Sequence, residues 1–144
     1  MPPSIFEAAF SLNNHCLGSS VAFTDSSQIT TGNNVAWIWD FGDGNSSIQQ
    51  HPTHTYGVEG VYSVKLIVNS NQGCKDTINH YIEVWPLPQV NFNPTEVCFN
   101  TPTQFTDLTT ISNNFTNNTL VSWNWNFGDN MGTSTMQNPV YQYQ

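Results

Sequence analysis

Two histidines three residues apart, His51 and His54, follow a turn that carries Asp40, Asp43 and Asn45. The imidazole spacing invites a zinc site, and the three oxygen-bearing side chains could serve calcium. Plainer uses compete with both. The surrounding sequence occurs twice, and in the second copy His51 and His54 become Asn138 and Tyr141, so one copy manages without them. The acidic ladder of a calcium loop is missing, and Asp43 reads instead as ordering its own turn through backbone hydrogen bonds. The plain reading is preferred, so no metal or other cofactor is expected, with Asp40, Asp43 and Asn45 kept as weak calcium candidates. The many hydroxyls form no set of nucleophile, base and orienting group. Neither a Gly-x-Ser-x-Gly motif nor a phosphate loop occurs, and the chain is expected not to be an enzyme.

The element that must position these groups is Trp37-Ile38-Trp39-Asp40-Phe41-Gly42-Asp43-Gly44, which recurs as Trp123-Asn124-Trp125-Asn126-Phe127-Gly128-Asp129-Asn130. Three aromatic residues on alternate positions share one face of an extended strand. The strand stops at Gly-Asp followed by Gly44 or Asn130, the residue types that most easily take positive φ in a tight turn. The duplication is wider than this motif. Phe10, Cys16, Phe23, Thr24 and Asp25 return 82 positions later, the tryptophans 86 later, and Pro52, His54 and Tyr56 return 87 later as Pro139, Tyr141 and Tyr143. A repeat of this length predicts two domains, 1–86 and 87–144, joined by the stiff linker Trp85-Pro86-Leu87-Pro88.

Strands are predicted over 7–12, 20–25, 37–41, 45–50, 61–69 and 75–84. A lead-in covers 1–6, a turn covers 13–15, a polar loop covers 26–34, and 51–56 is a crossing segment. The clearest strand is 61–69, where Tyr62, Val64, Leu66 and Val68 alternate with Ser63, Lys65 and Ile67. No helical apolar period is sustained, so the expectation is all-β.

Ten acidic residues against Lys65 and Lys75, with no arginine, give a formal charge of −8. Nucleic acid and anionic membrane surfaces need cations that are absent here. No apolar run reaches a membrane span, and no membrane insertion is expected.

The second copy has no counterpart of 61–84, so its sandwich would be incomplete and would show an open edge and apolar core faces. Two expectations follow: the natural chain continues past Gln144, or a neighbouring chain supplies the strands by β-augmentation. The three cysteines fit the first. Cys16 and Cys74 can pair within copy one, and Cys98, which matches Cys16, would find its partner beyond the chain end. Free buried thiols are the alternative. A bridge would imply an oxidising, extracellular setting.

The run Trp39-Asp40-Phe41-Gly42-Asp43-Gly44, then Pro52-Thr53-His54-Thr55-Tyr56, then Gly60-Val61-Tyr62-Ser63-Val64 resembles a PKD (polycystic kidney disease) domain, a small immunoglobulin-like β-sandwich. The likeness covers essentially all of copy one and the first two-thirds of copy two, where Asn126 and Asn130 depart from the pattern. With Cys16 and Gly73-Cys74-Lys75-Asp76-Thr77, the chain further resembles PKD repeats in large secreted surface proteins of Bacteroidota. The resemblance implies a tandem, extracellular, non-catalytic section of a cell-surface protein that spaces or adheres. Its partners would be other PKD-like domains of the same or neighbouring chains, and surface polysaccharide or protein. Two rivals are an accessory polysaccharide-binding module of a secreted enzyme and a filament subunit assembled by strand complementation.

Within that frame Trp39, Phe41, Gly42, Asp43, Gly44, Tyr62, Trp125, Phe127, Gly128 and Asp129 are structural. Trp37 and Trp123, at the strand's outer end, are candidates to stack on sugar rings. Asn45, Asn114 and Asn117 fit the N-glycosylation pattern, and Thr77 resembles a short Bacteroidota O-glycosylation acceptor, all weak matches in a chain so rich in Asn and Thr.

Overall fold

The computed structural model describes residues 6–12, 15–115 and 118–144, which fall into two compact units, Met1–Pro86 and Leu87–Gln144. Every regular element among the described residues is a strand. The lead-in up to residue 5, the Asn13-Asn14 part of the first turn and the candidate Asn117 lie outside the described residues.

Unit 1 runs β1 (Phe6–Glu7), β2 (Phe10–Ser11), β3 (His15–Cys16), β4 (Ser20–Ala22), β5 (Thr24–Asp25), β6 (Gln28–Ile29), β7 (Asn34–Asp40), β8 (Ser46–Ser47), β9 (Thr53–Thr55), β10 (Gly60–Ser70) and β11 (Lys75–Trp85). The alternation in β10 buries Val64, Leu66 and Val68 and turns Ser63 and Lys65 outward. β10 and β11 form a long antiparallel hairpin, and the other edge of β10 pairs with β7 so that Leu66 lies opposite Trp39. The resulting five-stranded sheet has the order β3-β11-β10-β7-β8. The short pairs β2-β5 and β4-β9 supply the residues that pack against it. Trp39, Phe41, Val64, Leu66, Val68, Ile82 and Val84 meet Ala8, Phe10, Val21, Phe23 and Tyr56 in one core cluster. An aromatic centre of this kind contributes most of the favourable burial of a small sandwich.

The structure redraws some boundaries. The strand expected over 20–25 is interrupted at Phe23, whose N–H donates to Pro52 O at 2.9 Å. The loop over 26–34 contains β6, and the crossing over 51–56 contains β9. Their ladders come from distant segments, β1 and β4, so no local periodicity announces them.

The pairing of Cys16 with Cys74 is corrected. Both are free, exposed thiols, as is Cys98. Cys16 sits opposite Trp85 at one end of β11, while Cys74 precedes Lys75 at the other end. Ten residue steps of extended chain separate those ends by roughly 33 Å, and a disulfide needs Cα atoms within about 7 Å. The same geometry removes the basis for giving Cys98 a partner by analogy with Cys74.

Unit 2 runs β12 (Phe92–Pro94), β13 (Thr103–Asp107), β14 (Trp125–Asn126), β15 (Thr133–Ser134) and β16 (Val140–Tyr141). β12-β13-β16 make one sheet and β14-β15 a second. The second tryptophan strand is only two residues long, because β7 has ladders on both sides, to β10 and β8, whereas β14 has one, to β15.

Candidate functional site

Each unit locks the turn after its tryptophan strand in the same way. Gly42 and Gly44 have φ of 81° and 93°, and Gly128 and Asn130 have φ of 85° and 61°. Asp43 Oδ1 accepts from Asn45 N–H at 3.0 Å, and Asp129 Oδ1 accepts from the N–H groups of Met131 and Gly132 at 3.0 Å. The other carboxylate oxygen reaches across the unit. Asp43 Oδ2 lies 2.7 Å from His54 Nε2, and Asp129 Oδ2 accepts from Tyr141 OH at 2.5 Å. His54 stacks on Phe41 with centroids 4.3 Å apart, and Tyr141 stacks on Phe127 at 4.1 Å. Tyr56 OH and Tyr143 OH then donate to the carbonyls of Phe41 and Phe127 at 3.0 and 3.1 Å.

Burial is the largest single influence on Asp43 and acts upward, but hydrogen bonds from His54 and Asn45 outweigh it and hold the carboxyl below its ordinary range. Burial, then the Asp43 charge, pushes the Tyr56 hydroxyl far above its ordinary value of 10.0, so it stays a neutral donor.

A second clamp escaped the sequence reading. Trp37 Nε1–H donates to Asp25 Oδ2 at 2.7 Å, and Gln50 Nε2 donates to the same oxygen at 3.1 Å. In unit 2 Trp123 and Gln137 do the same to Asp107 Oδ2 at 2.8 and 3.2 Å. Ser27 caps Asp25 and Thr109 caps Asp107 through their N–H groups, each at 3.0 Å. Hydrogen bonds from Thr109 lead those that lower Asp107 to about 2. The signal was present in the repeat, which keeps all four positions of the clamp as Asp, Trp, Gln and a hydroxyl residue.

Among the described residues the candidate metal ligands are not brought together. His51 Nδ1 accepts from Asp25 N–H at 3.2 Å while His54 faces Asp43, so the two imidazoles serve different elements. Asp40 accepts from Gly42 N–H and pairs with Lys65 Nζ at 3.2 Å, which places a cation where a divalent ion would need ligands. Among the described residues no three His, Cys, Asp or Glu side chains gather to hold an ion.

Trp37 and Trp123 are half-buried, with their indole N–H groups committed, and Trp37 packs at the margin of the core. Asn45 is exposed, yet its amide nitrogen donates to Asp43 Oδ2 at 3.1 Å. Thr77 and Asn114 are exposed. Tyr62 stacks on Tyr56 at 4.3 Å and donates to Val58 O.

Unit 2 also carries an open apolar feature. A cleft of about 460 Å³ is lined by Phe92, Phe105, Trp125, Phe127 and Tyr143, among others.

Comparison with known proteins supports the same picture. Residues 3–84 match the family model described as PKD domain. A microbial collagenase of Vibrio alginolyticus is 42% identical over 72 residues, which is 49% of this chain and 9% of the collagenase. The crystal structure of the PKD1 domain from the Vibrio cholerae metalloprotease PrtV is 38% identical, covers 55% of this chain and 95% of that domain, and superimposes with a TM-score of 0.52. A structure of carbohydrate-binding modules from the β-sandwich superfamily is 21% identical over 70% of this chain and 54% of its own, with a TM-score of 0.55, and shares the fold. The chain spans about 9% of the length of the curated relatives it matches. The described residues contain no helix long and apolar enough to cross a membrane.

Proposed function

The chain belongs to the PKD domain family, and from that premise we propose that it is a non-catalytic accessory section of a secreted protein, one that positions a catalytic or adhesive partner outside the cell. The observation that carries this reading is how the polar groups of the repeated motif are used. Asp25, Asp43, Asp107, Asp129 and their imidazole, phenol and indole partners are consumed in holding each unit's own turns. None is left paired as nucleophile and base. Relatives named as a collagenase and a pre-pro-metalloprotease match over this region alone, and proteins acting on collagen work outside cells.

Unit 2 is, in this reading, a second module of the same family, since it keeps the Asp-Trp-Gln clamp and rebuilds the turn clamp with Tyr141 in place of His54. Tandem modules space the domains they join, and half-exposed aromatics in the charge-poor surface suit contact with protein fibrils or polysaccharide. The expected surroundings are therefore those of a secreted enzyme's substrate, which replaces the Bacteroidota adhesin as the preferred setting.

The test is sedimentation of the isolated chain with insoluble collagen and with insoluble polysaccharide, followed by assay of released fragments. Retention on one of them with no hydrolysis is expected. Hydrolysis above a blank would overturn the non-catalytic assignment, and failure to sediment with either would remove the contact role.

A further inference from the structure

The tryptophans of the unit 1 motif are committed inward: Trp37 and Trp39 give their indole N–H groups to Asp25 and to Gln49 O, and Tyr62 is stacked on Tyr56. Tyr81 is different. It is 76% exposed, and among the described residues it makes no hydrogen bond or ring contact. Its place follows from the alternation of β11: Ile82 and Val84 enter the core, so Asn79, Tyr81 and Glu83 stand on the outer face of the five-stranded sheet. The ladder sets Ser63 of β10 opposite Tyr81 and Lys65 opposite Asn79, and Lys65 in turn pairs with Asp40 of β7. A free ring therefore has a hydroxyl residue one strand spacing away, about 4.8 Å, and an amide residue two positions along its own strand, about 6.7 Å, with an ion pair on the diagonal. Charge sets the same face apart. Lys65 and Lys75, the only lysines in a chain without arginine, both lie on its outward positions, where Asp40 and Glu83 balance them. The face is neutral although the chain carries −8.

We propose that this outer face, centred on Tyr81, binds an uncharged β-1,4-linked polysaccharide. A pyranose needs an aromatic ring under its C–H face and polar groups around its rim. Tyr81 supplies the ring. Asn79 and Ser63 supply neutral partners for hydroxyl groups, and Lys65 and Asp40 supply charge-assisted ones. Ile67 and Ile38, opposite one another in the next outward row, extend the floor with further C–H surface. A β-1,4-linked chain is a flat ribbon and matches a flat sheet, whereas an α-1,4-linked chain coils away from it. The anchor side chain of a protein partner, by contrast, is enclosed in a pocket, and an open sheet surface encloses nothing. Balanced charge on the face selects against a polyanion or a polycation and favours a neutral chain. This inference rests on the contact role proposed above and narrows it to one ligand class and one face; it also moves the stacking ring from Trp37, whose indole is spent, to Tyr81.

The test titrates the full chain, labelled with nitrogen-15, with cellohexaose and with maltohexaose, and sediments the same chain with insoluble cellulose and with insoluble collagen. Saturable amide shifts at Ser63, Lys65, Asn79 and Tyr81 are expected with cellohexaose and not with maltohexaose. Tyr81→Ala should weaken cellohexaose binding by roughly fivefold or more, Asn79→Ala should weaken it less, and Tyr81→Phe should restore it. All three positions are outward, so unchanged shifts in the core confirm that the variants fold. Equal binding of the two hexasaccharides, shifts that fall on other residues, or no binding to cellohexaose or cellulose would overturn the proposal. Loss of collagen retention but not of cellulose retention in Tyr81→Ala would also overturn it, by giving the face to a protein fibril. The accessory role is read separately, from retention of the unaltered chain on either solid.

Discussion

Tyr141 occupies in unit 2 the position His54 holds in unit 1: each ring stacks on the motif phenylalanine, and each reaches the aspartate of the turn, at 2.5 and 2.7 Å. A phenol and an imidazole share little chemistry, but both present a flat ring for stacking and a polar tip that reaches the turn carboxylate. The position therefore asks for shape and one hydrogen bond, and metal ligation or proton transfer would not accept the exchange.

The first prediction concerns that exchange. His54→Tyr should leave the stability of unit 1 within about 0.5 kcal/mol of the parent, while His54→Ala should cost about 1–3 kcal/mol, because Asp43 keeps its burial and loses its partner. Urea unfolding of the two variants checks this. Equal losses would mean that the ring position contributes nothing of its own.

Acid should destabilise the chain with a defined sign. Asp25, Asp43 and Asp107 are all held below the ordinary 3.8, Asp107 at about 2. A carboxyl lowered in the folded state binds fewer protons than in the unfolded state. Its stabilisation is thus complete above about pH 4 and is lost as pH falls through the folded values. Melting temperatures should be flat from pH 7 to 5 and fall below pH 4, and Asp25→Asn should shrink the fall. A decline that begins near pH 6 would point to histidine instead.

The turn glycines should respond unequally. At Gly42 a Cβ would lie 2.7 Å from Ser63 O, whereas at Gly44 nothing stands within 4 Å. Gly44→Asn, which copies Asn130, should cost no more than about 0.5 kcal/mol, and Gly42→Ala should cost about 2 kcal/mol or more. Thermal unfolding of both variants decides.

Cys16, Cys74 and Cys98 should all titrate with a thiol reagent in the absence of reductant, and Cys74→Ser should leave the melting temperature unchanged. A monomer with a single reactive thiol would contradict the placement of Cys16 and Cys74 at opposite ends of β11.

Much of the fold was legible wherever a rule of period two applied. Tyr62 to Val68 announced their own strand, the repeated tryptophans announced the strands β7 and β14, and the replacement of Gly44 by Asn130 announced a positive φ. The disulfide was misjudged because a repeat gives the order of residues along a strand but no sense of its length, and β11 carries Cys74 about 33 Å from Cys16. β6 and β9 stayed hidden because two or three residues hold no period. The Asp25 and Asp107 clamps were missed although all four of their positions repeat, since a carboxylate beside a threonine carries no local sign of the indole it will meet twelve or sixteen residues later.

The most direct measurement of a positioning role is turnover by a secreted metalloprotease catalytic domain with and without this chain fused to it, on insoluble collagen fibrils and on a short soluble peptide. A gain on fibrils with unchanged peptide turnover is the predicted result. No gain on fibrils, or the same gain on both substrates, would contradict it.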